Sequence, residues 1–218
     1  PVLLADLRDA LPDGGRGMSP AVKLAELILR FGRVNRATYH PDGVRPESDT
    51  DHTVMLGVLA CALAAKWRHL SLNVGRVAEF ALVHDLAEAY AGDTQSFDIT
   101  AEAKADKEAR EVAAFARIAR EFAAHFPWLV GTLGAYEAQK EPEARFVRYL
   151  DKVTPKLTHA LNGGVAFRQM GKSAEDVWVV HQAQIDKLAA EYPEFADTVG
   201  VILGNACNES ERAYIGAS

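Results

Sequence analysis

Phe80-Ala81-Leu82-Val83-His84-Asp85-Leu86-Ala87-Glu88-Ala89-Tyr90-Ala91-Gly92-Asp93 is the stretch on which this chain turns. It sets a histidine beside an aspartate inside an apolar run. A buried carboxylate without a partner costs several kcal/mol, so it is normally paired or bound to a metal. Neighbours on a helix are about 100° apart, so His84 and Asp85 can both tilt toward one point beside the helix. Glu88 lies one turn after His84 on the same face. Gly92 suits a helix C-terminus, and Asp93 follows at the exit. The segment offers two metal ligands, a proton-transfer group and a polar group at the mouth.

Two further stretches complete that set. A helix over about 51–69, capped by Thr50 or Asp51, carries a stripe of Leu56, Leu59 and Leu63, with His52 one turn before it. A helix over about 142–162 carries Phe146, Val147, Leu150, Thr154, Leu157 and Leu161, with Asp151 inside the stripe. Pro155 stands four residues after Asp151, leaves the Asp151 carbonyl without its helical partner and favours a kink there. Taken alone, a core-facing histidine is most often a hydrogen-bonded structural residue. His52, His84, Asp85 and Asp151 together, each on a core-facing stripe, are much harder to explain as packing. Nitrogen and carboxylate ligands without thiolate suit one divalent transition ion: Mn²⁺, Fe²⁺, Co²⁺, Ni²⁺ or Zn²⁺. Four protein ligands with open positions would lower the pKa of a bound water and orient a substrate oxygen.

The remaining chain reads as helices separated by Pro and Gly. Ser19-Pro20 starts a helix that Gly32 closes, while Pro12-Asp13-Gly14-Gly15 ends any earlier one. Residues 33–49 form a polar loop with Arg33, Arg36, Tyr39 and His40, long enough to suggest function, with at least one arginine on a ligand. Asn73 caps a helix over 74–91. Residues 93–99 form a second polar loop. Helices follow from Thr100 to about 125, from Pro127 to about 140, over about 174–191 behind Ser173, and over about 194–212. No strand alternation, repeat or linker stands out. The fold class is all-α: residues 1–218 as a single globular domain of seven or eight helices, its core at about 20–165 and its C-terminal helices at about 174–212 packed on it.

Composition narrows the function. The 218 residues carry a formal charge of −6 and are 49% hydrophobic. With no dense basic stripe, a nucleic-acid partner is excluded, whereas a small phosphorylated ligand needs only one or two local cations. Cys61 and Cys207 are too few for a disulfide framework, and Cys61 reads as core packing. No signal peptide and no 18-residue apolar span is present, so a cytoplasmic protein without a membrane partner is expected.

His52, His84-Asp85 and Asp151 reproduce the H…HD…D pattern of the HD-domain phosphohydrolases, an all-α metal-dependent superfamily which this chain resembles. The continuation through Glu88 to Gly92-Asp93 is similar to its 5′-deoxynucleotidase branch (the YfbR-like and HDDC2-like proteins). So are Pro46-Glu47-Ser48-Asp49-Thr50-Asp51-His52 and the charged helix from Lys104 to Glu111. The likeness spans roughly residues 20–165. It implies release of phosphate from (deoxy)nucleoside 5′-monophosphates by a metal-activated water. The metal would sit on His52, His84, Asp85 and Asp151. Glu88 would be the general acid/base, Asp93 would contact the sugar hydroxyl, and Arg33 or Arg36 would clamp the phosphate. A homodimer is also implied. The branch's Trp just after that arginine is missing here, which leaves the loop 37–46, with Tyr39 or His40, to supply a sugar wall. Two alternatives stand beside this reading: hydrolysis of nucleoside triphosphates or another phosphorylated metabolite, and a non-catalytic metal or ligand sensor. Ala89 after Glu88 departs from the HDxxED string of alarmone hydrolases.

Overall fold

Helix starts fall where a hydroxyl or amide side chain can accept the free N–H groups of a first turn. The computed structural model describes residues 19–94 and 100–197, together with residues 200, 204–205 and 208–209. The expected early helix, residues 95–99 of the second loop, Cys207 and most of the last expected helix lie outside the described residues. Ser19 caps α1 (Pro20–Phe31), Asn73 caps α3 (Val74–Val83) and Thr100 caps α5 (Ala101–Phe122). Ser48, rather than Thr50 or Asp51, caps α2 (Asp49–Lys66): its hydroxyl accepts from the Asp51 N–H while the Asp51 carboxylate accepts from the Ser48 N–H, a capping box. A second capping box, Ser173 with Asp176, opens α9 (Ala174–Glu191). Prolines open α6 (Pro127–Ala138) and α7 (Pro142–Leu161). Two short helices, α4 (Glu88–Ala91) and α8 (Val165–Gln169), bring the count among the described residues to nine, seven of them ten residues or longer.

The connection between α1 and α2 differs from the sequence reading. The polar loop 33–49 contains an antiparallel hairpin, β1 (Asn35–Tyr39) and β2 (Pro46–Ser48), with Asn35 opposite Ser48 and Tyr39 opposite Pro46. The strands are too short and too polar for alternation to mark them. α7 continues through Pro155, as expected of the helix over about 142–162, and the Thr154 hydroxyl donates to the Asp151 carbonyl at 3.2 Å in place of the amide that proline lacks.

α7 is the central helix, buried around most of its circumference from Ala144 to His159. One apolar cluster joins Leu56, Phe80, Phe146, Tyr149 and Leu150 with Tyr192 and Phe195; Cys61 packs against it. The other joins Leu27 and Phe31 of α1 to Val83, Leu86, Ile118, Phe122 and Leu133. The segment between α3 and α4 passes from the first cluster into the second, which puts the His84-Asp85 pair at the junction of two cores.

The far end of α7 packs on α8 and α9 through two buried histidines. The Phe167 ring lies 4.2 Å from that of His159 and 5.8 Å from that of His181. Burial lowers His159 to about 3, helped by His181 and Lys156, and lowers His181 to about 4, helped by Lys156. Unfolding would return both to about 6.5. The unfolded chain therefore binds more protons below that pH, so stability is complete above about pH 6.5 and is lost toward pH 4. Urea unfolding is expected to show each histidine costing about 2–3 kcal/mol at pH 4.5. His181→Gln should flatten this acid limb; an equally steep limb in the variant would show that His181 does not cause it.

Candidate metal centre and active site

The expected single helix over 74–91 breaks after Val83. Residues 84–87 turn through bonds three residues apart: Leu86 N–H to the Val83 carbonyl at 3.0 Å and Glu88 N–H to the Asp85 carbonyl at 2.8 Å. Such a tight turn stacks side chains three apart, which brings Glu88 over Asp85. Val83 and Leu86 anchor the segment in the second cluster, leaving His84 and Asp85 to face α2 and α7. Gly92, with φ 73°, ends α4 in a conformation only glycine adopts easily, and its N–H closes on the Glu88 carbonyl. Arg110 of α5 donates to the Ala91 carbonyl and, at 2.7 Å, to the Thr94 hydroxyl, holding the turn that carries Asp93.

His52, His84, Asp85 and Asp151 each offer one ligand atom, and these atoms all lie within 4.8 Å of one another. Asp151 Oδ1 is 3.1 Å from His52 Nε2 and 3.8 Å from His84 Nε2; Asp85 Oδ2 is 3.0 Å from His84 Nε2. The donor set fits a divalent transition ion on its own chemistry. His84 Nδ1 lies 2.9 Å from the Ala81 carbonyl, which can only accept, so Nδ1 carries a proton and Nε2 is the nitrogen that faces the group; burial would lower this imidazole's pKa, but Asp85 and Asp151 raise it. That Nε2 is buried and, although near Asp85, makes no hydrogen bond. On the far side of His52, Glu47 Oε1 is 3.9 Å from Nδ1, and the Thr38 hydroxyl donates to the other Glu47 oxygen. Burial would raise Asp151, but Lys152, His52 and His84 hold it well below the usual carboxylate range. Against burial, His84 and Arg36 likewise keep Asp85 low. Both carboxylates are anions.

Beside this group Arg36 Nη1 lies 3.0 Å from Asp85 Oδ2, 3.2 Å from Asp49 Oδ1 and 3.9 Å from Glu88 Oε2. Burial alone would lower the guanidinium pKa, but Asp85, Asp151, Asp93 and Glu88 outweigh it, so Arg36 is a permanent cation. Glu88 is pushed up to about 11 by burial and then by the charges of Asp85, Asp49 and Asp93, with Arg36 pulling the other way. Burial raises Asp49 to about 7 against the pull of Arg36. Glu88 is thus the protonated member of a carboxyl cluster. A cation on the four-group centre would lower its pKa.

The structure brings His52, His84, Asp85, Asp151, Glu88 and Arg36 together and leaves Arg33 outside. That side chain is exposed on the turn after α1 and joins none of these contacts. Asp93 is close enough for its charge to act on Glu88, Asp49 and Arg36. His40 is turned onto Asp51 at 3.3 Å and Arg45 at 3.2 Å. Sequence reasoning passed over three charged neighbours: Glu47, Asp49 and Lys152, whose Nζ is 3.1 Å from Asp151 Oδ2. The density of acids before His52 and the cation right after Asp151 were the available signals.

A helical bundle that draws two histidines and two aspartates from three segments, with a buried glutamate and a buried arginine beside them, defines an all-α protein with a His/Asp group that could hold a cation. The chain belongs to the HD domain family, whose sequence model matches residues 29–193. It is 32% identical over 140 residues to the 5′-deoxynucleotidase HDDC2 of Bos taurus, which covers 63% of this chain and 65% of that protein. Its identity to the Homo sapiens 5′-deoxynucleotidase HDDC2 is 31% over 140 residues, 63% of this chain and 66% of the human protein. The matched segment thus spans just under two thirds of these relatives. A crystal structure from Magnetospirillum magnetotacticum MS-1, described as a predicted metal-dependent phosphohydrolase, superposes with a TM-score of 0.71 at 26% identity, over 89% of this chain and 92% of that one. Among the described residues no helix is long and apolar enough to cross a membrane.

Proposed function

We propose that this chain is a metal-dependent phosphohydrolase that releases phosphate from nucleoside or deoxynucleoside 5′-monophosphates. The observation that carries the reading is the buried Glu88 carboxyl, 3.9 Å from the Arg36 guanidinium and beside two histidines and two aspartates whose ligand atoms converge within 4.8 Å. A purely structural metal site has no use for either neighbour. The activity named for the relatives supports the same reading.

His52, His84, Asp85 and Asp151 would hold one ion of Mn, Co, Fe, Ni or Zn. When bound, it supplies Lewis-acid polarisation of a phosphoryl oxygen and a more acidic attacking water. The chain's own residues do the rest. Arg36 offers a planar fork that matches two phosphoryl oxygens. Glu88 gives its proton to the 5′ oxygen as the phosphorus–oxygen bond breaks and the water oxygen bonds to phosphorus, and the resulting Glu88 carboxylate takes the proton that the water sheds. Asp93 accepts from a sugar hydroxyl at the mouth. The formal charge of −6 suits a small-molecule partner and not nucleic acid. A cytoplasmic homodimer belongs to the same proposal.

The test is phosphate release from nucleoside and deoxynucleoside mono-, di- and triphosphates, each with Mn²⁺, Co²⁺, Ni²⁺, Zn²⁺ or chelator, with pyrophosphate and triphosphate also detected. Release from 5′-monophosphates in the presence of metal alone is expected. Turnover confined to triphosphates would replace the monophosphate assignment, and silence across the panel from metal-loaded protein would overturn the reading.

A further inference from the structure

Asp49 has no role in the reaction so far described, yet its side chain is completely shielded from solvent. A carboxylate persists in such a place only where something holds it, and here that is Arg36. Three carboxyl groups share one guanidinium nitrogen, at 3.0 Å for Asp85, 3.2 Å for Asp49 and 3.9 Å for Glu88. Two of the three have other tasks in the proposed reaction: Asp85 belongs to the four-group centre and Glu88 carries the proton. A cation on that centre competes with Arg36 for Asp85. Asp49 is the one partner left that Arg36 can keep throughout.

The backbone around Asp49 is suited to an anchor. It stands in the first turn of the 18-residue helix α2, which the Ser48–Asp51 capping box fixes. Its own N–H donates to the Val34 carbonyl at 3.0 Å, tying it to the segment that leads into β1 and Arg36. A carboxylate at a helix N-terminus is also favoured by the helix dipole.

We propose that Asp49 is the positioning residue for Arg36: it fixes the guanidinium beside the four-group centre so that the remaining N–H donors face a phosphoryl group. This rests on the phosphate-ester reading above. Without Asp49, the guanidinium falls back onto Asp85 and Glu88, and phosphate must displace it from both.

The experiment measures binding of inorganic phosphate to the Mn²⁺-loaded full chain, with steady-state kinetics on a 5′-monophosphate, for wild type, Asp49→Asn, Arg36→Ala and the double variant. Asp49→Asn is expected to weaken phosphate binding about tenfold and to raise KM to match, as for the loss of a charge-assisted hydrogen bond. Metal content and kcat should change far less. The double variant should bind phosphate no more weakly than Arg36→Ala alone, since Asp49 acts through Arg36. If Asp49→Asn unfolds, Asp49→Ser, a good first-turn residue, repeats the comparison. Phosphate binding unchanged in the Asp49 variant, or a loss that multiplies onto Arg36→Ala, overturns the inference while the phosphohydrolase reading stands. A wild-type chain that neither binds phosphate nor hydrolyses any ester overturns that reading, and the inference with it.

Discussion

Glu88→Gln is expected to lower kcat by about 10²–10⁴-fold, the range that a positioned acid or base contributes, while the protein keeps its metal. Glutamine preserves the shape of the side chain and its hydrogen-bonding reach but has no proton to give to a leaving oxygen. Fold and metal content should survive for a second reason. Glu88 is buried among the charges of Asp85, Asp49 and Asp93, and burial already keeps it neutral. A neutral amide in its place removes no ion pair on which the core depends. The readouts are single-turnover phosphate release and metal stoichiometry on the same sample. Wild-type turnover by Glu88→Gln would remove Glu88 from the reaction and favour a binding or sensing role for the site.

His84→Ala is expected to abolish metal binding and activity together. Nε2, aimed at the group by the Nδ1 contact to Ala81, is the one imidazole nitrogen that the tight turn offers, and it lies 3.0 Å from Asp85 Oδ2 and 3.8 Å from Asp151 Oδ1. Its loss leaves an incomplete ligand set with two carboxylates that repel each other. For the wild-type chain, a metal at 100 times its dissociation constant should stabilise the fold by about 2.7 kcal/mol. In a domain of this size that raises Tm by about 5–10 °C. Thermal unfolding with and without Mn²⁺ or Co²⁺ measures the shift; in His84→Ala it should vanish. A full wild-type shift in the variant would remove His84 from the ligand set.

Much of this was open to inspection in the sequence because the relevant signals are local. A polar residue inside an apolar run is conspicuous wherever the chain folds, since burying it demands compensation. This picks out His52, His84, Asp85 and Asp151 without any knowledge of where the helices go. The caps behave the same way: Asn73, Thr100 and Ser173 satisfy N–H groups two or three residues away, and each is found where its pattern placed it. The hairpin was not visible because its strands are only five and three residues long and owe their form to each other. The helix over about 142–162 was legible despite Pro155, and only the structure shows the Thr154 hydroxyl donating to the Asp151 carbonyl that proline leaves without an amide.

The amino-acid order alone thus determined an all-α chain, most of its helix boundaries and the identity of four candidate ligands, since each depends on contacts within a turn or on the cost of burying one polar group. Which arginine enters the site was decided only by the tertiary structure. Arg33 and Arg36 are three residues apart and alike in chemistry, but strand pairing turns Arg36 and Thr38 to one face, toward Asp49 and Glu47. The partners of Arg36 stand 13 and 49 residues away in the chain, at Asp49 and Asp85. The protonation of Glu88 was decided there as well: three carboxylates and one guanidinium meet around it only after the hairpin, α2 and the tight turn at 84–87 have packed, and the charge balance of a buried group depends on that assembled environment.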